Sequence, residues 1–178
     1  SSCLLAKSAS RDGMIRLGHT STHLAQLMQA VSGLFFTISS LKARSEEEVL
    51  VTGASRGIGS QIAKTLAKKN IFVVVNYSGS KEKAEQTAEE IINAGGKAVV
   101  YGCDISDFYA TEDMVKEIVK QYGRLDILIN NAGITKDNLI MRMSEADFDR
   151  VIEVNLKGAF NTIHAAARQM IRQKAEKS

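Results

Sequence analysis

The chain is 178 residues long, with 44% hydrophobic and 24% charged residues, a balance that fits one globular domain with a real core and excludes a disordered chain. A formal net charge of +3 is too small to argue for a nucleic-acid partner. Two cysteines, Cys3 and Cys103, supply neither a disulfide framework nor metal-ligand spacing, so a reduced, cytoplasmic protein without a metal site is the default expectation.

Residues 1–48 differ in kind from the rest. They are rich in Ser and Thr, hold Asp12 as the only acid before Glu46, and carry Lys7, Arg11, Arg16, Lys42 and Arg44. Such a composition is similar to an organellar transit peptide, which would place the protein in a plastid or mitochondrion; a non-native extension is the other reading. Leu24 to Leu41 is interrupted by Gln26, Gln29, Ser32, Thr37, Ser39 and Ser40, too polar a pattern for a transmembrane helix or a signal core. His19 and His23 can share a helix face, but no third ligand is nearby. Glu46-Glu47-Glu48 reads as a solvated run before the first strand.

From Val49 onward strands and helices alternate. Val49, Leu50 and Val51 form an apolar run that stops at Gly53, glycines recur at Gly57 and Gly59, and an amphipathic segment starts at Ile58 with Ile62 and Leu66 at helical spacing. This is strand, tight turn, helix, spelled TGxxxGxG rather than the more familiar GxGxxG. Gly53 lets the chain turn sharply, Gly57 lets backbone approach a pyrophosphate, and Gly59 lets the helix pack on the sheet, with free N–H groups facing the anion.

Ile71 to Val75 is a continuous apolar run, as expected of a strand buried on both faces. A helix from Lys81 to Ala94 stops at Gly95-Gly96, Ala98 to Tyr101 is a third strand, and Met114, Val115, Ile118, Val119 and Tyr122 stripe a third helix ended by Gly123. Leu125 to Ile129 is the fourth strand. Ser144 and Asp147 spell a capping box that opens a helix running to Lys174, with Phe148, Val151, Ile152, Leu156, Phe160 and Ile163 as its apolar residues. Asn155 lies inside that helix, where its propensity is poor, and His164 reads as an ordinary helix residue.

The segments TGASRGIG (Thr52 to Gly59), VNYSGS (Val75 to Ser80), CDISD (Cys103 to Asp107), NNAGITKDNLIMRM (Asn130 to Met143) and VNLKGAF (Val154 to Phe160) together resemble the short-chain dehydrogenase/reductase family. Within it they are similar to the bacterial-type 3-oxoacyl-acyl-carrier-protein reductases. The resemblance implies an α/β fold, a Rossmann-type doubly wound parallel sheet, with residues 49–178 as its nucleotide-binding domain. It covers roughly the amino-terminal half of such a protein. The strand and helix with the catalytic Ser, Tyr and Lys would follow Ser178, so these residues alone are expected to be inactive.

Several site assignments come with the resemblance. Gly53, Ala54, Ser55, Arg56, Gly57, Ile58 and Gly59 would hold the dinucleotide phosphates, Asp104 and Ile105 the adenine, and Asn131, Ala132 and Gly133 the ribose. Asn155 would be an active-site residue whose backbone carbonyl holds a water in a proton relay. Tyr77 and Lys81 have the family's Tyr-x-x-x-Lys spacing but stand after the second strand, and are read as a decoy. NAD enzymes place an acid near the end of the second strand; here Asn76, Tyr77 and Ser78 stand there, and with Arg56 they favour NADP. The implied activity is NADPH-dependent reduction of a 3-oxoacyl group on acyl carrier protein in fatty acid synthesis, by a protein that assembles as a tetramer when complete. No nucleic acid or membrane partner is implied. The other readings are a reductase of another carbonyl compound and a catalytically dead nucleotide- or partner-binding fragment. Arg168, Arg172 and Lys174 form a basic cluster that either meets the acidic carrier or complements the helix terminus.

Overall fold

The computed structural model describes residues 47–175, with side chains as far as Gln173. The transit-like extension, Cys3, His19, His23 and the Leu24 to Leu41 stretch lie outside the described residues.

Four strands, β1 (Glu48–Val51), β2 (Phe72–Tyr77), β3 (Lys97–Gly102) and β4 (Ile127–Ile129), form one parallel sheet in the order β3-β2-β1-β4. Between them run α1 (Gly57–Ala67), α2 (Lys81–Asn93) and α3 (Phe108–Tyr122). The chain goes outward from β1 through β2 to β3, then returns to place β4 on the other side of β1. That reversal opens a crevice at the carboxyl ends of β1 and β4, where ligands bind in sheets of this kind.

Burial explains the continuous apolar runs. Leu50 and Val74 share one face and pack with Met114, Val115 and Ile118 of α3, with Leu125, and with Ala166. Val49, Val51, Val73 and Val75 alternate to the opposite face and are also fully buried. Helices α1 and α2 are tied together there by the buried Ser60 and Thr87 hydroxyls, 3.0 Å apart. Helix α3 starts where Asp107 accepts the Ala110 N–H and ends at Gly123 in the left-handed region, φ +88°.

Two expectations are corrected. The helix predicted from Ser144 to Lys174 is three pieces: α4 (Glu145–Ile152), one turn of π-helix (Glu153–Lys157) and α5 (Gly158–Ala175). Ser144 caps α4 as the capping box predicts, accepting the Asp147 N–H at 3.1 Å. The wider turn keeps Val154 buried while Asn155 reaches across to Ile134. Most of the apolar stripe read from the spacing is exposed, from 39% at Ile152 to 64% at Leu156, whereas Val154, Gly158, Asn161, Thr162 and Ala166 are the buried residues. None of the described helices is long and apolar enough to cross a membrane.

The second correction is Glu48, which is in β1 rather than in a solvated run. Its register opposite Phe72 draws it into the sheet, and its side-chain Oε2 is buried with no hydrogen-bond partner among the described residues. Its N–H donates to Asp126 Oδ2 at 3.0 Å, and Arg124 grips the same carboxylate through Nε and Nη2. Burial first, and the Asp126 charge second, push the Glu48 carboxyl up to about 7, against the pull of Arg124. A folded-state value above the unfolded 4.5 means that the folded protein holds this proton more tightly. The added stability is full below pH 4.5 and is lost as pH rises through about 7. Urea unfolding at pH 5 and pH 8 should therefore show wild type losing ~2 kcal/mol more than Glu48→Gln across the interval. Parallel loss in the two proteins would remove Glu48 as the cause.

Candidate functional site

A cleft of about 560 Å³ lies at the carboxyl ends of the strands. Its walls include Gly53, Ser55, Arg56, Gly57 and Ile58 from the first turn, with Tyr77 at the end of β2 and Ser78 just beyond it. Asp104 and Ile105 come from the loop after β3, and Asn131, Ala132, Gly133 and Ile134 from the loop after β4.

Close backbone approach builds the glycine turn. Gly53 has φ +61°, and a Cβ on it would stand 2.7 Å from Ala132 Cα. Gly57 also has φ +61°, but nothing lies within 4 Å of its Cβ position, so this is the open side of the turn. Helix α1 begins here with Arg56 as N-cap, no side-chain cap bond and no acid in its first turn. Its first N–H groups and the positive end of its dipole are thus left for an anion. Ala54 and Gly59 are buried beneath the cleft rather than lining it. A Cβ on Gly59 would strike the Asn131 amide and stand 2.7 Å from the Gly53 carbonyl oxygen.

Three side chains knit the strand ends together. Thr52, fully buried, donates its hydroxyl to the Ile129 carbonyl at 3.2 Å and accepts the N–H groups of Asn131 and Ala132, each at 3.0 Å. Asn131 returns two bonds, from Nδ2 to the carbonyls of Thr52 at 2.9 Å and Gly53 at 3.1 Å. Asn76, also buried, accepts the Gly53 N–H at 3.3 Å and donates to the carbonyls of Cys103 at 3.1 Å and Tyr101 at 3.3 Å. Beneath the cleft, Asn161 donates to the Ile105 carbonyl at 2.8 Å and Thr162 bonds Asn130, so that α5 supports the loops after β3 and β4.

Asp104 stands at the β3 end, bonded by the Ser106 hydroxyl at 2.7 Å and by Arg150 Nη2 at 2.9 Å. Partial burial alone would raise its carboxyl, but the bonds from Ser106 and Arg150 outweigh it and hold the group below the usual carboxylate value. Cys103 beside it is buried, which pushes its thiol up and keeps it protonated. At the other end Asn155 clamps Ile134 twice: Oδ1 accepts the Ile134 N–H at 2.8 Å and Nδ2 donates to its carbonyl at 3.0 Å. Asn155 itself does not line the cleft. Tyr77 and Lys81 sit at the β2 end, where the Tyr77 ring covers Gly102 and Lys81 pairs with Glu85. Among the described residues, the β4 end of the cleft offers amides and backbone groups and no acid or base.

The structure therefore gathers Gly53, Ser55, Arg56, Gly57, Ile58, Ser78, Asp104, Ile105, Asn131, Ala132 and Gly133 around one cleft. Sequence reasoning did not single out Arg150, Thr52 or the bracing role of Asn76. An arginine on a helix carries no signal of its own, but a polar Asn closing the run Phe72-Val73-Val74-Val75 does, because a buried strand tolerates one only when it is bonded.

The sequence model of one family, described as short chain dehydrogenase, matches residues 47–177. Over 129 residues the chain is 52% identical to a 3-oxoacyl-acyl-carrier-protein reductase of Staphylococcus aureus, covering 72% of this chain and 52% of that protein. A reductase of the same name from Synechocystis is 38% identical over 135 residues, covering 76% of this chain and 55% of that protein. The chain thus spans about half the length of the curated relatives it matches. Among solved structures, a metagenomic short-chain oxidoreductase in complex with NADP superposes with a TM-score of 0.70 at 37% identity, over 73% of this chain and 59% of that one. A short chain dehydrogenase from Burkholderia cenocepacia, also in complex with NADP, gives 0.68 at 35% identity, over 71% of this chain and 51% of that one.

Proposed function

Because the chain belongs to the short-chain dehydrogenase family, we propose that its cleft binds NADP(H) and that these residues form the nucleotide-binding part of a reductase of 3-oxoacyl-acyl-carrier-protein. The observation that carries the cofactor is the corner between the glycine turn and β2. Among the described residues no carboxylate stands there to repel a 2′-phosphate: Asn76 is used up in bonds to backbone, and Ser78 and Arg56 line the cleft. The uncapped start of α1 and the open side of Gly57 fit a pyrophosphate. Ile105 would offer an apolar surface and Asp104 an acceptor to the adenine, and the backbone of Asn131, Ala132 and Gly133, which also lines the cleft, would meet the nicotinamide ribose.

When bound, NADPH supplies a hydride. This chain's part is to place the cofactor and to keep the loop after β4 in register, through Thr52 and the Asn155 clamp on Ile134. Asn155, in the π-helical turn, is assigned to the active site through its backbone carbonyl as a water-holding group. The likeness to the two 3-oxoacyl-acyl-carrier-protein reductases above supports the substrate. Arg168 and Arg172 of α5 face Lys116 and Lys120 of α3 across a groove of about 520 Å³, which is the surface assigned to the acidic carrier.

Titrating the 178-residue chain by fluorescence tests the cofactor. NADPH should bind more tightly than NADH, and Arg56→Ala should weaken NADPH about tenfold with NADH unchanged, the loss of one charge-assisted bond. Equal affinities for the two cofactors in the wild type would overturn the reading.

A further inference from the structure

Arg150 reaches the cleft from α4, a helix with no buried residue of its own. Its guanidinium closes a ring with two side chains at the end of β3. Nη2 donates to Asp104 Oδ2 at 2.9 Å, Nη1 donates to Ser106 Oγ at 3.0 Å, and that hydroxyl donates to Asp104 Oδ1 at 2.7 Å. The Ser106 N–H adds a second bond to Oδ1 at 3.0 Å, and Glu153 Oε2 holds Nη1 at 3.3 Å.

Lone pairs decide what is left over. A carboxylate oxygen accepts in about two directions. Among the described residues both are taken at Oδ1, by the Ser106 hydroxyl and N–H, whereas at Oδ2 one is taken by Arg150 and one is left over. Asp104 lines the cleft next to Ile105, whose side chain is buried against Gly158. A flat base resting there meets one fixed acceptor and no donor from this carboxylate.

Resting on the NADP(H) reading, we propose that Arg150 is a positioning residue that turns Asp104 so that its Oδ2 accepts from the 6-amino group of adenine, selecting adenine over a 6-oxo purine. A 6-oxo group is itself an acceptor, so it faces the carboxylate with like partial charge and no proton between them. Without Arg150 the carboxylate keeps its two bonds to Ser106 but loses the one that fixes Oδ2 and balances its charge. Arg150 acts through Asp104 and makes no contact of its own with the base.

The test compares NADPH with its hypoxanthine analogue on the 178-residue chain by calorimetry, with thermal melts to confirm folding. Wild type should prefer the adenine form by about tenfold or more, the worth of a charge-assisted hydrogen bond. Arg150→Ala should shrink that ratio to about twofold, chiefly by weakening NADPH, and Arg150→Lys should restore part of it. Asp104→Asn should remove the preference, and adding Arg150→Ala to it should change nothing further. If Arg150→Ala does not fold, Ser106→Ala, which opens the ring elsewhere, should give a smaller drop in the same ratio. An unchanged ratio with both dinucleotides weakened would reduce Arg150 to a structural residue and overturn the proposal. Weaker NADPH with unaltered NADH would make it a 2′-phosphate contact, with the same result. A wild type that binds both purine forms alike sinks this proposal and leaves the cofactor reading standing; one that binds neither sinks both.

Discussion

Gly59→Ala is expected to abolish dinucleotide binding and to cost the fold on the order of 2–3 kcal/mol. In an exposed helix the substitution would gain ~1 kcal/mol, because alanine is the better helix former, so the sign depends on the space around the new methyl. There is none. The Cβ would run into the Asn131 amide, and would stand 2.7 Å from the Gly53 carbonyl oxygen and 3.0 Å from Ala54 Cα. Two of these obstacles are backbone. The third, Asn131, donates to the carbonyls of Thr52 and Gly53, and swinging it aside strands both. Lifting α1 outward instead would carry its N–H groups away from the phosphate position. Urea unfolding and NADPH titration read the two effects separately. A Gly59→Ala protein as stable as wild type, or more so, would show that α1 does not sit this close.

Asn76→Ala should cost ~2–4 kcal/mol, out of a total stability that for a domain of this kind is only about 5–15. Asn76 is 1% exposed, and its amide ties the end of β2 to two other strand ends: the Gly53 N–H beyond β1 and the carbonyls of Tyr101 and Cys103 at the end of β3. Alanine leaves those groups buried with fewer partners and leaves a void beside Met114, whose sulfur also lies against the amide. Asn76→Asp should be worse. It keeps the acceptor for Gly53 but turns the donor into a charge facing two carbonyl oxygens, in a site that burial makes costly. Melting temperatures should fall in the order wild type, Asn76→Ala, Asn76→Asp. If Asp were tolerated as well as Ala, Asn76 would be a space filler and the strand-end network would need another origin.

Side chains with few substitutes made the glycine turn readable. Gly53 and Gly57 occupy positive φ and Gly59 a gap too small for a methyl, and glycine meets all three demands without strain, so the spacing itself announced the site. The apolar strands were readable for the same reason, since a sheet covered on both faces admits little else. Arg150 was not readable. Its role depends on Asp104 and Ser106, far away along the chain, and an arginine at the surface of a helix is ordinary in the absence of that partner. Glu48 was misread because three glutamates in a row look solvated, and only the pairing with Phe72 shows that the sheet takes in the last of them. The π-helical turn left one faint trace, an asparagine where a helix disfavours it, and the trace pointed to Asn155 without revealing the change in winding.

Strand order sets a timetable for folding. Of the described strands β1 is synthesised first, and it finds β2 across a short helical connection. Its other edge waits for Ile127–Ile129, which pair with Val49–Val51. At a ribosomal rate of roughly 5–20 residues per second, that wait lasts on the order of 4–15 s, during which a buried apolar strand has one open flank. Only when β4 docks do Asn131 and Ala132 reach the Thr52 hydroxyl and close the turn. The phosphate cradle, made early, takes its shape only when the last of the four described strands has docked, and a ligand that needs it recognises only chains that have already joined β4 to β1.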